Sequence, residues 1–140
     1  DRSHQTDPEN HDKMCRLRAE KVAKIPVPDV EVQGCVDDAE LLIVALAVLT
    51  AICIRPWMNG GCRQESGFGS FLLPEPLPAN TAEVLKRYKK VVVAEQNLGQ
   101  FAAYLRMKVD GFVPYQFNQV KGQPFVVSEL VAAFTEIYNK

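Results

Sequence analysis

Four consecutive apolar residues, Val91-Val-Val-Ala94, constrain the fold of this chain more than any other feature. Successive side chains of a strand point to opposite faces, so an unbroken apolar run must be covered on both sides. That condition is met in a parallel sheet between two helical layers. Glu95 and Asn97 follow at the carboxyl end of this strand. Asn97 and Gln100 have the spacing of a capping box, with Asn97 as N-cap and Gln100 at N3. Leu98, Phe101, Ala102, Leu105 and Val109 then recur at helical spacing and predict one apolar stripe. In open α/β sheets, ligands and partners gather at the carboxyl ends of strands. The polar turn therefore has two readings: a helix cap alone, or a cap that also carries a site.

The remaining chain extends the pattern. Asp7-Pro8 reads as an N-cap followed by proline at N1. Met14, Leu17, Ala19, Val22 and Ile25 give that first helix a weak stripe, which predicts a connecting helix loosely packed on its domain; Pro26 and Pro28 end it. Residues 30–38 read as a short acidic link and 39–44 as a buried strand. Between 45 and 67 the chain loses its logic. Apolar residues continue without period, Pro56 and Gly60-Gly61 interrupt them, and no amphipathic crossover helix can be drawn. Gly67 to Leu73 is the next candidate strand. Asn80-Thr-Ala-Glu83 reads as a second capping box before a short helix. Gly111 to Phe117 reads as an edge strand because it contains Pro114. Ser128 is the expected cap of a last helix with Leu130, Val131, Phe134 and Ile137 on one face. Strands and helices alternate, so the expected fold class is α/β with a mostly parallel sheet and right-handed crossovers.

At 140 residues the chain holds one domain at most. Its net charge of −1 gives no electrostatic reason to expect nucleic acid or an anionic membrane as partner. The longest apolar run, Leu41 to Ile54, is too short to span a bilayer, and no signal peptide is visible, so the expected location is cytoplasmic. Cys15, Cys35, Cys53 and Cys62 form no CxxC pair and no zinc or iron–sulfur spacing; they read as reduced and structural. His4 and His11 read as solvated, with no second ligand at a suitable spacing. The chain opens without methionine and reads as a fragment of something longer.

Walker A, GxGxxG, GxSxG and HExxH sequences are all absent, and neither Ser66 nor Ser70 has a histidine in sequence reach. No catalytic set emerges. Two functions survive this reading: an accessory domain of a larger enzyme, or a non-enzymatic regulatory or subunit-interaction domain.

VVVAEQNLGQFAAYLR resembles the E-x-N-x-G-Q turn near the end of the alpha subunit of 2-oxoacid:ferredoxin oxidoreductases, and is most similar to the 2-oxoglutarate type. TDPENHDKMCRLRAEKVAKI is similar to the segment leading out of that family's pyrimidine-type domain. PLPANTAEVLKRYKKVVV resembles its P-L-P loop with the following helix and strand, and KGQPFVVSELVAAF its closing G-x-P-F and final helix. The resemblance implies a linker helix over residues 1–28 and, over 29–140, a Rossmann-like three-layer domain similar to the transketolase carboxyl-terminal domain. It further implies oxidative decarboxylation of 2-oxoglutarate to succinyl-CoA with reduction of ferredoxin. Related enzymes acting on pyruvate or branched-chain 2-oxoacids are the alternative. Thiamine diphosphate, magnesium, an iron–sulfur cluster and coenzyme A belong to the whole enzyme, and none is expected to be held by this fragment alone. The implied partners are the beta subunit and ferredoxin, and the isolated chain is expected to be inactive. No catalytic or metal-binding residue is assigned; Glu95, Asn97, Gly99 and Gln100 are the candidates for a binding or interface turn.

Where the resemblance breaks, the family has a glycine turn, G-W-G-x-T-x-G, directly after the strand ending at Val44. A shifted reading frame restores it. Suitable codons for Leu46 to Phe68 spell GGTYGHLYPAMDEWRLPAGKRV when the third base of each is read with the first two of the next. That peptide contains the turn, an amphipathic helix and the entry to the next strand in order. Residues 45–67 are therefore read as frameshifted, with genuine divergence as the alternative. On the first reading Cys53, Trp57 and Cys62 have no evolved role.

Overall fold

The computed structural model describes residues 7–34, 39–46, 49–50, 52–53, 66–71 and 74–140. Its five strands are β1 (Val32–Gly34), β2 (Leu41–Leu46), β3 (Ser66–Phe71), β4 (Lys90–Glu95) and β5 (Tyr115–Asn118), in the spatial order β1-β3-β2-β4-β5. β2 pairs in parallel with both β3 and β4, and β4 pairs in parallel with β5. β1 is antiparallel to β3. The sequence reading placed only a link there; three residues between polar neighbours give too short a pattern to read as a strand, and the exposed edge of β3 recruits them. Four helices complete the described elements: α1 (Pro8–Ala23), α2 (Thr81–Arg87), α3 (Gln100–Lys108) and α4 (Val127–Tyr138).

The two-faced demand of β4 is met. Val91 and Val93 lie in a core cluster with Val84 and Leu85 of α2 and with Phe101, Ala102 and Leu105 of α3. Val92 and Ala94 lie in a second cluster with Leu130, Phe134 and Ile137 of α4. Burial of these three α4 side chains at i, i+4 and i+7 is worth about 1.5–3 kcal/mol each. Leu42 and Val44 of β2 join the first cluster, Leu41, Ile43 and Ala45 the second. The result is a three-layer α/β arrangement with β2 and β4 at its centre.

α1 begins as its sequence predicts: Asp7 accepts a hydrogen bond from Glu9 N at 3.2 Å and proline stands in the first turn. None of its residues is buried. Other expectations change. Asn80 stands at the N-cap position of α2, as its sequence predicts, but its side chain makes no capping bond. Its amide instead accepts from Val30 N at 2.8 Å and donates to Val30 O at 3.0 Å, clamping the segment that enters β1. Ser128 lies inside α4 rather than at its cap, because the helix starts at Val127 after an extended Val126. Leu98 leaves the predicted stripe and is 84% exposed, since α3 begins two residues later. β5 starts just after Pro114 and forms a sheet edge among the described residues, as expected of a strand preceded by a residue without N–H.

Most of the segment 45–67 lies outside the described residues. Within it, Leu49, Thr50, Ile52 and Cys53 have helical backbone. Leu49 and Ile52 pack against the second cluster and Cys53 is fully buried in it, while Thr50 Oγ1 lies 2.7 Å from Ser70 Oγ. Aperiodic apolarity hid this helical turn: a segment buried on several sides shows no amphipathic stripe. Cys53 is thus a core side chain, as expected of a structural cysteine. Trp57 and Cys62 lie outside the described residues.

Candidate functional site

In this sheet, β2 leads to β3 on one side, whereas β4 returns to the other. The carboxyl ends of β2 and β4 therefore bound the crevice where the winding reverses, the favoured ligand position in such sheets. The turn after β4 forms one wall of it. The residues directly after Leu46, on the other side, lie outside the described set.

Glu95 ends β4 and is 1% exposed. Its Oε2 accepts from Phe101 N at 2.7 Å and its Oε1 from Ala102 N at 2.9 Å. These are N2 and N3 of α3, two of the donors that a helix start leaves without a partner. A buried carboxylate at the positive end of a helix dipole meets its hydrogen-bonding and electrostatic needs at once. The cap expected from Asn97 is thus divided. Asn97 Oδ1 accepts from Gly99 N at 2.8 Å and from Gln100 N at 3.0 Å, holding the turn itself. Gly99 takes the N-cap position in left-handed conformation (φ 90°). It does so beneath two side chains of β5: a Cβ there would stand 2.3 Å from Gln116 Oε1 and 2.9 Å from Asn118 Nδ2. Gln100 is N1 of the helix, with an exposed side chain.

The four candidate residues are therefore contiguous in space and unlike in role. Glu95 is closed to solvent with both oxygens engaged. Gly99 is buried beneath β5. The half-buried Asn97 holds the backbone, and Gln100 faces solvent. The structure adds neighbours that sequence reading missed. Asn118 Nδ2 donates to Gln116 Oε1 at 3.0 Å beside Gly99. Gln119 N donates to Glu95 O at 3.0 Å, and Gln96 Nε2 donates to Gln123 O at 2.9 Å, so the turns after β4 and β5 form one surface. No local signal marked Gln116, Asn118 or Gln123; only the pairing of β4 with β5 brings them here. The surface offers neutral amides rather than a nucleophile with its base. Beside it, between the end of β5 and α4, runs an open groove of about 550 Å³.

His11 is exposed, as expected, and its Nε2 lies 3.6 Å from Cys15 Sγ, one turn along α1. Among the described residues no group of three or more histidine, cysteine, aspartate or glutamate side chains that could hold a metal ion forms. Burial pushes the Cys53 thiol up to about 12, consistent with a neutral core side chain. No described helix is long and apolar enough to cross a membrane.

No family model matches the chain. A curated relative does: it is 40% identical over 129 residues to the 2-oxoglutarate oxidoreductase subunit KorA of Mycobacterium tuberculosis. That alignment takes in 89% of this chain and 19% of the relative, so the chain spans about a fifth of that subunit's length. Among solved structures, the 2-oxoglutarate:ferredoxin oxidoreductase from Magnetococcus marinus, with 2-oxoglutarate, coenzyme A and succinyl-CoA bound, superposes with a TM-score of 0.79. It shares 22% identity, over 94% of this chain and 24% of that one. A split-gene transketolase, an inactive beta4 tetramer, superposes with a TM-score of 0.56 at 18% identity, over 83% of this chain and 44% of that one. The first relative shows homology to part of a 2-oxoglutarate oxidoreductase subunit, and the two structures show the fold.

Proposed function

We propose that this chain, homologous to a segment of a 2-oxoglutarate oxidoreductase subunit, is the carboxyl-terminal domain of the alpha subunit of a 2-oxoglutarate:ferredoxin oxidoreductase. The whole enzyme converts 2-oxoglutarate and coenzyme A to succinyl-CoA and carbon dioxide while reducing ferredoxin. The single observation that carries this reading is the 40% identity over nine-tenths of the chain, joined to the same fold in a solved enzyme of that type. Residues 1–28 form the linker from a preceding domain and 29–140 the transketolase-like domain. Thiamine diphosphate, magnesium and the cluster are held by other parts of the enzyme, the beta subunit among them, and the location is cytoplasmic. The exposed amides of the turns after β4 and β5, joined through Gln96 Nε2 and Gln123 O, support a role in assembly and in shaping the acyl-CoA side. Glu95, Asn97, Gly99 and Gln100 form the turn that carries this role: Glu95 and Gly99 fix its shape, while Gln100 faces the contact.

The isolated chain, given 2-oxoglutarate, coenzyme A, thiamine diphosphate, magnesium and a viologen acceptor, is expected to show no acceptor reduction. A complete alpha subunit containing it, co-expressed with a beta subunit, is expected to restore reduction. Turnover by the chain alone refutes the division of labour. Residues 45–67 are, on the same proposal, frameshifted relative to the family; codons in the gene incompatible with the shifted peptide refute that part independently.

A further inference from the structure

Directly after β5, Gln119 keeps a buried side-chain oxygen that the fold leaves unused. The residue lines the groove of about 550 Å³ between β5 and α4 and is 9% exposed. Its Oε1 has no hydrogen-bond partner among the described residues. A buried acceptor without a donor destabilises a fold, and an apolar side chain of similar size avoids that loss. A donor from outside the chain satisfies it. The rest of the groove says which donor. Glu129 stands there without an ion pair among the described residues, whereas Glu136 is held by Lys140 at 2.9 Å. Phe117, Ala132 and Ala133 supply an apolar wall. A guanidinium suits a neutral acceptor, a carboxylate and an aromatic ring together. It is planar, carries five N–H donors and is more weakly hydrated than an ammonium.

We infer that this groove receives an arginine side chain from an extended segment of another protein, laid along the open edge of β5. The strand itself supports the extended form. Gln119 N donates to Glu95 O, so alternate residues of β5 turn their backbone toward β4. The N–H and C=O of Gln116 and Asn118 therefore point away from it. β5 is the last strand of the sheet among the described residues. Tyr115-Gln-Phe-Asn118 carries none of the charges that guard such edges against pairing. An added strand takes its main-chain bonds there, and its side chains on the α4 side enter the groove. Gln119 Oε1 accepts from the guanidinium, and Glu129 supplies the opposite charge. The last torsion of a glutamine side chain is broad, so the amide turns its oxygen to the incoming donor at little cost. Lys121 lines the same groove and opposes a cation, which the experiment reads separately. The inference concerns binding at the sheet edge and holds whatever reaction the whole enzyme catalyses.

The test is titration of the full 140-residue chain, isotope-labelled and followed by amide NMR, with a blocked heptapeptide of alternating threonine and valine around a central arginine. The same peptide with citrulline or norleucine at its centre is the comparison. The arginine peptide is expected to bind with a Kd on the order of 100 μM and to slow amide exchange at Gln116 and Asn118. Citrulline weakens it about tenfold, and norleucine more. Gln119→Leu weakens it about tenfold while Tm stays level or rises, the opposite of what a structural amide gives. Glu129→Gln weakens it roughly fivefold, and Lys121→Gln strengthens it about twofold, both at low salt. No response at about ten times the expected Kd overturns the inference, as does equal binding of the arginine and norleucine peptides. A Gln119→Leu chain that binds like the parent, or whose Tm falls by more than roughly 3 °C, overturns it too. Exchange at Gln116 and Asn118 that slows as the chain alone is concentrated assigns the edge to a second copy and refutes the proposed occupant.

Discussion

Replacing Glu95 by glutamine tests the central structural argument, because it removes a charge and one acceptor while leaving the side chain's size unchanged. The carboxylate accepts from Phe101 N at 2.7 Å and Ala102 N at 2.9 Å in a site 1% exposed. Glutamine keeps one acceptor and turns an NH2 group toward the other N–H. A buried donor left unpaired costs about 1–3 kcal/mol, and the lost interaction with the helix dipole adds roughly 0.3–1 kcal/mol. The expected destabilisation is therefore about 1–4 kcal/mol. For a chain of this size that is roughly 4–12 °C in Tm. Glu95→Ala removes both acceptors and is expected to cost more, whereas Gln100→Ala, at an exposed position, stays within about 0.5 kcal/mol of the parent. The assay is urea unfolding followed by circular dichroism, with an unchanged m-value confirming comparable unfolding. If Glu95→Gln unfolds within about 0.5 kcal/mol of the parent, the buried carboxylate is not what fixes the turn, and the account of the site is wrong.

Gly99→Ala is expected to cost more than about 1 kcal/mol by the same assay, because it combines φ 90° with a Cβ placed against Gln116 and Asn118; a neutral result contradicts the left-handed N-cap. Asn80→Ala should lose about 1–2 kcal/mol and speed amide exchange at Val30, its clamped partner, with little effect at Glu83. Iodoacetamide under native conditions should modify the exposed Cys15 and spare the buried Cys53, as peptide mass mapping will show; equal labelling contradicts the burial of Cys53. The hydrogen bond and charge of Lys89, 2.5 Å away, together with Lys90, hold the Glu40 carboxyl below its usual range. Its contribution is then present above the ordinary carboxylate pKa and is lost as pH falls through the depressed one. The Tm difference between the parent and Glu40→Gln should thus shrink on acidification from neutral pH, and a gap that widens reverses the sign.

The sequence by itself determined the layer architecture and the place of the candidate turn. Val91 to Ala94 cannot be half-solvated, so helices on both faces followed from composition alone, and Leu130, Phe134 and Ile137 announced one of them by their spacing. The kinship with 2-oxoacid oxidoreductases was equally legible, because the E-x-N-x-G-Q turn and its flanks are local strings. Tertiary structure decided what those residues do. Asn97 and Asn80 both matched a capping pattern; Asn97 does accept from Gln100 N as that pattern predicts, but it leaves the next two helix donors to Glu95, and the Asn80 side chain bonds elsewhere. Glu95 reaches the helix donors first, and Val30, fifty positions away from Asn80, offers a paired N–H and C=O. Capping rules count residues along the chain, whereas hydrogen bonds form with whatever the fold brings near. The helical turn containing Cys53 was illegible for the opposite reason: buried on several sides, it carries no amphipathic period. The joined surface of the two turns exists only because β5 pairs with β4, a contact that no local pattern contains.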